Sequence, residues 1–173
     1  MKRRHPMTRF LTHLVRAAVP SKWQVGRHFL ASALKRIEHA IKTSESTHLG
    51  EIRFVVEASL HPLEIIAKKS PQKRAIELFS QPHIWDTEHN NGVLIYLLLA
   101  DRDVEIVADR GIHQHVGNER WEAICHAMEL QFRHGQFEAG VLDGIAQIGA
   151  LLQQHYPAEY ESKNELPNAT IVI

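Results

Sequence analysis

The sequence has a single cysteine, no long apolar run, and no acidic residue before Glu38. One cysteine, Cys125, excludes an internal disulfide framework and is typical of proteins from a reducing compartment. The longest apolar stretch, Val93 to Ala100, is less than half of the ~20 residues that a membrane-spanning helix needs. Basic residues interrupt the apolar part of the first twenty positions, which excludes the continuous core of a secretory signal. We therefore expect a soluble, cytoplasmic protein without a transmembrane segment.

The N-terminal part of the sequence is basic, because it contains nine Lys or Arg residues from Lys2 to Arg36 and no acidic residue. Segments of this kind are most often solvated arms, and the alternative is contact with an anionic surface or a partner. Phe10, Leu11, Leu14 and Val15 predict a short amphipathic helix before Pro20. We expect an unknown protein partner and at most weak contact with an anionic surface through this arm, and no nucleic-acid partner.

A chain of 173 residues is long enough for one domain with its own core. We divide it into a basic N-terminal arm (1–21), one α/β domain (22–157) and a C-terminal tail (158–173). The tail ends in Ala169 to Ile173, which predicts either an edge strand or a loose end.

Hydrophobic periodicity and turn residues predict the elements of the domain. Helices are predicted over Trp23 to Thr47, Ser70 to Ser80, Asn118 to His134 and Phe137 to His155, and strands over Glu51 to Ala58, Gly92 to Ala100 and Asp103 to Asp109. Ser59 to Lys69 is predicted as a connector. A strand, a helix and a strand in succession imply two parallel strands, and the tight turn at Asp101-Arg102 makes the third strand antiparallel. The predicted sheet is therefore mixed.

Several short motifs occur in an order that resembles the TPM domain family. They are Asn90-Asn91-Gly92-Val93-Leu94-Ile95, then Asp101-Arg102, then Asp109-Arg110-Gly111, and finally Phe132-Arg133-His134-Gly135-Gln136-Phe137-Glu138-Ala139-Gly140. The resemblance covers roughly Ile37 to His155. Within the family, the sequence is similar to a short, soluble bacterial branch. It implies a three-layer α/β/α sandwich with a small mixed central sheet. It also implies calcium binding and acid phosphatase activity, which are described for members of the family.

The predicted topology brings polar residues together at the end of the sheet where the central strand begins and its hairpin partner ends, which we call the first mouth. These residues are Asp86, Glu88, Asn90, Asn91 and Asp109. Carboxylate and amide oxygens suit a hard divalent cation such as Ca²⁺. The simpler interpretation is that Asp86, Asn90 and Asn91 cap a turn.

The opposite end of the sheet, the second mouth, is a second candidate site, because open α/β sheets usually bind ligands beyond the carboxyl ends of parallel strands. It is predicted to contain Glu57, Ser59, Asp101, Arg102 and Asp103. The alternative is a surface ion pair at the hairpin, which contributes about 0–1 kcal/mol.

Other chemistry has weaker support in the sequence. His113 and His115 with His89 suit zinc or nickel, but their spacing is unspecific. Cys125 lies on the apolar stripe of its helix, which favours a core residue over a nucleophile. Nucleophile-elbow, phosphate-loop, dinucleotide-turn and Cys-x-x-Cys motifs are missing.

These observations favour a TPM-type accessory or binding domain that holds a divalent cation. One alternative is a metal-assisted acid phosphatase, in which Asp86, Asn91 and Asp109 hold a cation that activates water. A second alternative is a membrane-surface or protein-interaction module that acts through its basic arm.

Overall fold

The computed structural model describes residues 6–17, 19–80, 87, 89–158 and 167–173. Within these ranges the strands are β1 (Ile52–Glu57), β2 (Val93–Leu98), β3 (Asp103–Ala108) and β4 (Ile171–Val172). The helices are α1 (Pro6–Ala17), α2 (Ser21–Gly26), α3 (Ala31–Glu45), α4 (Pro62–Ile66), α5 (Pro71–Ser80), α6 (Arg110–Val116), α7 (Asn118–Arg133) and α8 (Phe137–His155).

The four strands form one mixed sheet in the order β3-β2-β1-β4. β1 and β2 are parallel, with Ile52 opposite Val93, and β2 and β3 are antiparallel, with Val93 opposite Ala108. Both pairings confirm the prediction from sequence. β4 resolves the open question about the tail, because it pairs in parallel with the outer edge of β1.

Alternating side chains of β1 and β2 enter two separate cores, one on each face of the sheet, which is why all six residues of each strand are buried. Phe54, Ile95 and their neighbours pack with α3, α7 and α8. Val55, Tyr96 and their neighbours pack with α4 and α5, and Phe10 of α1 packs against that core from outside. The chain is therefore an α/β/α sandwich, as predicted.

Three segments differ from the prediction. The single helix predicted over Trp23 to Thr47 is wrong, because α2 ends at Gly26 and the backbone is extended at Leu30 before α3. This interruption places both Val25 and Phe29 in the core. The predicted connector Ser59 to Lys69 contains α4, and the segment after Asp109 forms α6. Each of these helices has fewer than two turns, which is too short for an apolar stripe to be recognised in the sequence.

The described part of the basic arm packs against the domain. α1 packs against α4, and His13 is fully buried, where its Nδ1 accepts a hydrogen bond from Leu60 N at 3.0 Å. No helix among the described residues is both long enough and apolar enough to span a bilayer. The three-part division of the chain stays a prediction.

Candidate functional site

The first mouth is assembled by backbone contacts between the loop before β2 and the segment after β3. Asp109 N donates to Gly92 O at 2.8 Å, and Ile112 N donates to Asn90 O at 3.3 Å. A Cβ at Gly111 would collide with the carbonyl oxygen of Asn90, so glycine lets α6 approach this loop closely. The predicted proximity of the two segments is therefore confirmed for the described residues.

Two side chains at the first mouth have a buried oxygen without a hydrogen-bond partner among the described residues. Asn91 is 1% exposed, and its Nδ2 donates to Leu49 O at 3.1 Å while its Oδ1 has no partner. Asp109 caps α6 by accepting from Arg110 N through Oδ1, whereas its buried Oδ2 has none. Buried polar atoms in proteins are nearly always satisfied, so each of these oxygens requires an explanation.

The other residues predicted at the first mouth are Asp86, Glu88 and Asn90. Asp86 and Glu88 lie outside the described residues. Asn90 has a left-handed backbone, with φ 52°, which asparagine tolerates at turns. Across the described ranges, no group of three or more His, Cys, Asp or Glu side chains could hold a metal ion, so a cation here would depend on amide and carbonyl oxygens as well as carboxylates.

A buried charged cluster at the start of β1 escaped prediction from sequence. Glu45, Glu51 and Arg53 are all less than 10% exposed. Glu45 accepts hydrogen bonds from Ile52 N and from the Asn168 side chain. Burial, together with the charge of Glu51, raises the pKa of Glu45 to about 8, although these hydrogen bonds and Arg53 oppose the shift. Charged residues inside a strand buried on both faces were the available indication of such a cluster.

At the second mouth, Glu57 is the centre of a buried network. Arg74 Nε donates to Glu57 Oε2 at 2.9 Å and Arg74 NH2 donates to Oε1 at 3.2 Å. The hydroxyl of Tyr96 donates to Glu57 Oε2 at 2.7 Å. Burial and the adjacent Glu57 carboxylate raise the pKa of Tyr96, so its hydroxyl stays protonated.

A cavity of about 610 Å³ opens beside this network, beyond the carboxyl end of β1. Its wall includes Glu57, Ser59, His61, Glu64 and Arg74. Two of the predicted residues, Glu57 and Ser59, therefore line a cavity at the end of the sheet where ligands of α/β folds usually bind.

The hairpin residues of the second mouth do not line that cavity. Asp101 Oδ1 lies 3.3 Å from Nε2 of buried His13. Arg102 extends toward the other layer, with its guanidinium 6.0 Å from the Phe137 ring centroid. Glu57 and Ser59 thus line the cavity, and Asp101, Arg102 and Asp103 do not. The partners Arg74, Tyr96 and His13 were missed, because each is distant in sequence.

Cys125 follows the simpler interpretation, and His115 has an aromatic contact. The ring of His115 stacks on His155, with centroids 4.9 Å apart. Cys125 packs against the core of the α7 and α8 layer. Burial, reinforced by the charge of Glu105, raises the pKa of its thiol to about 12, as expected for a core residue and not for a nucleophile.

Comparisons with known proteins agree with this architecture. A family model described as the TPM domain matches residues 26–151. No curated protein matches the chain.

Two solved structures are similar to the chain. The NMR structure of the BA42 protein from the psychrophilic bacterium Bizionia argentinensis is 31% identical, covers 83% of this chain and 94% of its own, and superposes with a TM-score of 0.73. The solution NMR structure of the N-terminal domain of a protein from P. gingivalis is 20% identical, with a TM-score of 0.61 and coverage of 76% and 83%. The second similarity concerns the fold alone.

Proposed function

This chain belongs to the TPM domain family, and from that premise we propose that it is a binding or accessory domain that holds a divalent cation at the first mouth. The observation that carries the proposal is a pair of buried oxygens, Asn91 Oδ1 and Asp109 Oδ2, that have no hydrogen-bond partner within the described part of the chain. An unpartnered carboxylate oxygen in a protein interior is costly unless a cation or a donor neutralises it.

The donor types at this mouth favour a hard cation over a soft one. Asn91 and Asp109 present amide and carboxylate oxygens, the ligands that Ca²⁺ and Mg²⁺ prefer. Asp86 and Glu88 are the proposed additional carboxylates, and the carbonyl oxygens of His89 and Asn90 face the adjacent Gly111. The helix cap occupies only Oδ1 of Asp109, so capping leaves the second oxygen for a ligand.

The test is a titration of metal-stripped protein with Ca²⁺, Mg²⁺ and Zn²⁺, followed by backbone amide NMR. We expect saturable shifts at residues 89–92 and 109–117. Asp109→Asn should weaken the affinity by about ten-fold or more, because it removes one charge from the ligand set. Asp143→Asn, an exposed site on α8, is the matched control and should leave the affinity unchanged.

Two results would contradict the proposal: no response of the folded wild-type protein to any metal, or an unchanged affinity in Asp109→Asn. Shifts confined to Glu57, Ser59 and 101–103 would move the site to the second mouth. A response to Zn²⁺ alone, centred on His113 and His115, would favour a histidine site.

The enzymatic alternative is a metal-assisted phosphomonoesterase at the same mouth. A bound cation supplies a polarised water and neutralises phosphate charge, and Asp86, Asn91 and Asp109 would hold it. Asp86→Asn or Asp109→Asn should then abolish metal-dependent hydrolysis of p-nitrophenyl phosphate without unfolding the domain. Activity retained in both purified variants would rule out this assignment. The cytoplasmic location and the unknown protein partner stay predictions.

A further inference from the structure

The exposed apolar side chains of the described residues are concentrated on one layer of the sandwich. Of the nine large apolar residues that are exposed, six belong to the α1, α4 and α5 layer. They are Leu11, Leu14 and Val15 on α1, Leu63 and Ile66 on α4, and Ile76 on α5. Leu11 and Val15 are 61% and 63% exposed, one turn apart on the same side of α1. α1 packs directly against α4, so the two apolar faces are neighbours.

This layer is also basic. α1 and the segment from Pro62 to Ser80 contain six Lys or Arg residues and only two acids, Glu64 and Glu77. Both acids are already paired, because Lys69 Nζ lies 2.8 Å from Glu64 Oε1 and 2.7 Å from Glu77 Oε2. Lys68 and Lys73 are exposed. The sequence that precedes α1 contains further basic residues, from Lys2 to Arg4, and no acid.

The opposite layer differs, since its three long helices, α3, α7 and α8, together contain seven acidic residues and five Lys or Arg residues. α7 and α8 contain five acidic residues and two Lys or Arg residues. Leu130 is the one exposed large apolar residue on those two helices among the described residues. The described residues are therefore polarised, with a basic layer that carries most of the exposed large apolar side chains on one side of the sheet and a weakly acidic layer on the other.

From this polarity we infer that the α1, α4 and α5 layer docks on an anionic lipid bilayer, with Leu11, Leu14 and Val15 inserted at the level of the headgroups. Exposed leucine and valine on α1, in the same layer as the exposed Lys68 and Lys73, match the combination of apolar and basic side chains found on interfacial amphipathic surfaces. Anionic lipids attract nearby Lys and Arg, and the acidic layer would face away from the same surface. The inference is independent of the cation at the first mouth.

The geometry of α1 fits an anchored helix. His13, on its inner side, is held by Leu60 N and by Asp101, and Gln24 of α2 donates to Arg16 O and Val19 O at the end of α1. The helix is thus fixed to the domain through polar contacts on its inner side, while its apolar outer side stays exposed.

The test is sedimentation of the full chain with vesicles of phosphatidylcholine alone and of phosphatidylcholine mixed equally with phosphatidylglycerol. We expect binding to the anionic vesicles at about 0.05 M NaCl that weakens at about 0.5 M NaCl. The double variant Leu11→Asp/Val15→Asp should lose about ten-fold or more in affinity, because two inserted apolar side chains become charged. Leu130→Asp is the matched control, since it adds an acid at an exposed apolar site on the opposite layer.

Circular dichroism first checks that each variant is folded, which is expected because the substituted side chains face solvent. The inference is overturned if the folded wild-type protein ignores anionic vesicles, if it binds neutral vesicles equally well, or if Leu130→Asp is as harmful as the double variant. Light scattering after gel filtration gives the remaining outcome. A wild-type dimer that Leu11→Asp/Val15→Asp dissociates, without vesicle binding, would assign this layer to a second copy of the chain and overturn the lipid proposal.

Discussion

The carboxylate of Glu57 is held by the guanidinium of Arg74 through two parallel hydrogen bonds, of 2.9 and 3.2 Å, on the face of the sheet that packs with α4 and α5. Glu57 is 4% exposed and belongs to β1, whereas Arg74 belongs to α5. A bidentate pair of this kind is rigid and directional. It therefore fixes the position of α5 on the sheet and shapes one wall of the cavity at the second mouth.

Removal of Arg74 should be strongly destabilising. Arg74→Ala leaves the carboxylate of Glu57 buried, with the Tyr96 hydroxyl as its one remaining side-chain donor among the described residues, and breaking a buried ion pair in this way costs about 3–5 kcal/mol. Urea denaturation measures the change in the free energy of unfolding. Lys73→Ala, at the exposed neighbouring position on α5, is the control and should stay within about 0.5 kcal/mol of wild type. A loss below about 1 kcal/mol in Arg74→Ala would contradict a buried ion pair between Arg74 and Glu57.

Stability should fall as pH rises from about 6.5 to 8, because of Glu45. The folded-state pKa of Glu45 is about 8, against an ordinary value of 4.5. The folded protein therefore binds more protons than the unfolded chain in this window, and linkage makes unfolding easier as those protons leave. Urea midpoints at several pH values measure the effect. Glu45→Gln should flatten the profile between these limits.

The titration of His48 makes stability rise with pH below about 6.5, which is opposite to the effect of Glu45. It therefore sets the lower limit of the window in which the effect of Glu45 is measured. Burial lowers the pKa of His48 to about 4, so its contribution to stability is complete above its unfolded value of 6.5 and is lost as pH falls toward 4. Above pH 6.5 the contribution of His48 is nearly constant, so the difference between wild type and Glu45→Gln in this window measures the contribution of Glu45. An unchanged slope in Glu45→Gln would mean that this carboxyl ionises normally.

Gly140→Ala should destabilise the protein although alanine favours helices. A Cβ at Gly140 would lie 2.6 Å from Cε1 of Phe132, whose fully buried ring stacks on Phe137 at 5.3 Å. Overpacking costs about 1–3 kcal/mol, which exceeds the ~1 kcal/mol gained in helix propensity. Gly26→Ala is the control, since nothing lies within 4 Å of its added Cβ. Thermal melting of the two variants checks the sign, and a stabilised Gly140→Ala would show that Phe132 can move.

Cys125 should react slowly with thiol reagents in the native protein. Its thiol packs against the core, and burial raises its pKa to about 12, so the reactive thiolate is scarce near neutral pH. Labelling with a chromogenic disulfide should be slow without denaturant and fast in urea. Rapid labelling of the folded protein would contradict a shielded, protonated thiol.

The parts of the fold that were predictable depend on local patterns. β2 is a continuous apolar run between Gly92 and Asp101, and the hairpin to β3 follows from its turn residues, so the pairing of these two strands could be derived from the sequence alone. α4 and α6 were missed because each is short. The break at Leu30 depends on where Phe29 is buried, which is a tertiary effect that propensity does not encode.

The candidate sites were less predictable than the fold for a related reason. Sequence places residues at an end of the sheet, because strand direction determines which ends meet. It does not give the partners that lie on other elements. Glu57 was found at the second mouth, but its partners Arg74 and Tyr96 come from α5 and β2. Asp101 was predicted beside Glu57, whereas its carboxylate lies within hydrogen-bond distance of the His13 ring.

The pairing of β4 with β1 also constrains the order of folding. β1 ends at Glu57 and β4 begins at Ile171, so this pairing closes a far longer loop than the β2 to β3 hairpin and should form late. Until it forms, Val56 O and Ala58 N, which bond to Ile173 in the finished sheet, lack partners on an apolar edge. An uncovered edge of this kind pairs readily with other chains. The refolding yield is therefore expected to fall with protein concentration, in a phase that ends when the tail docks.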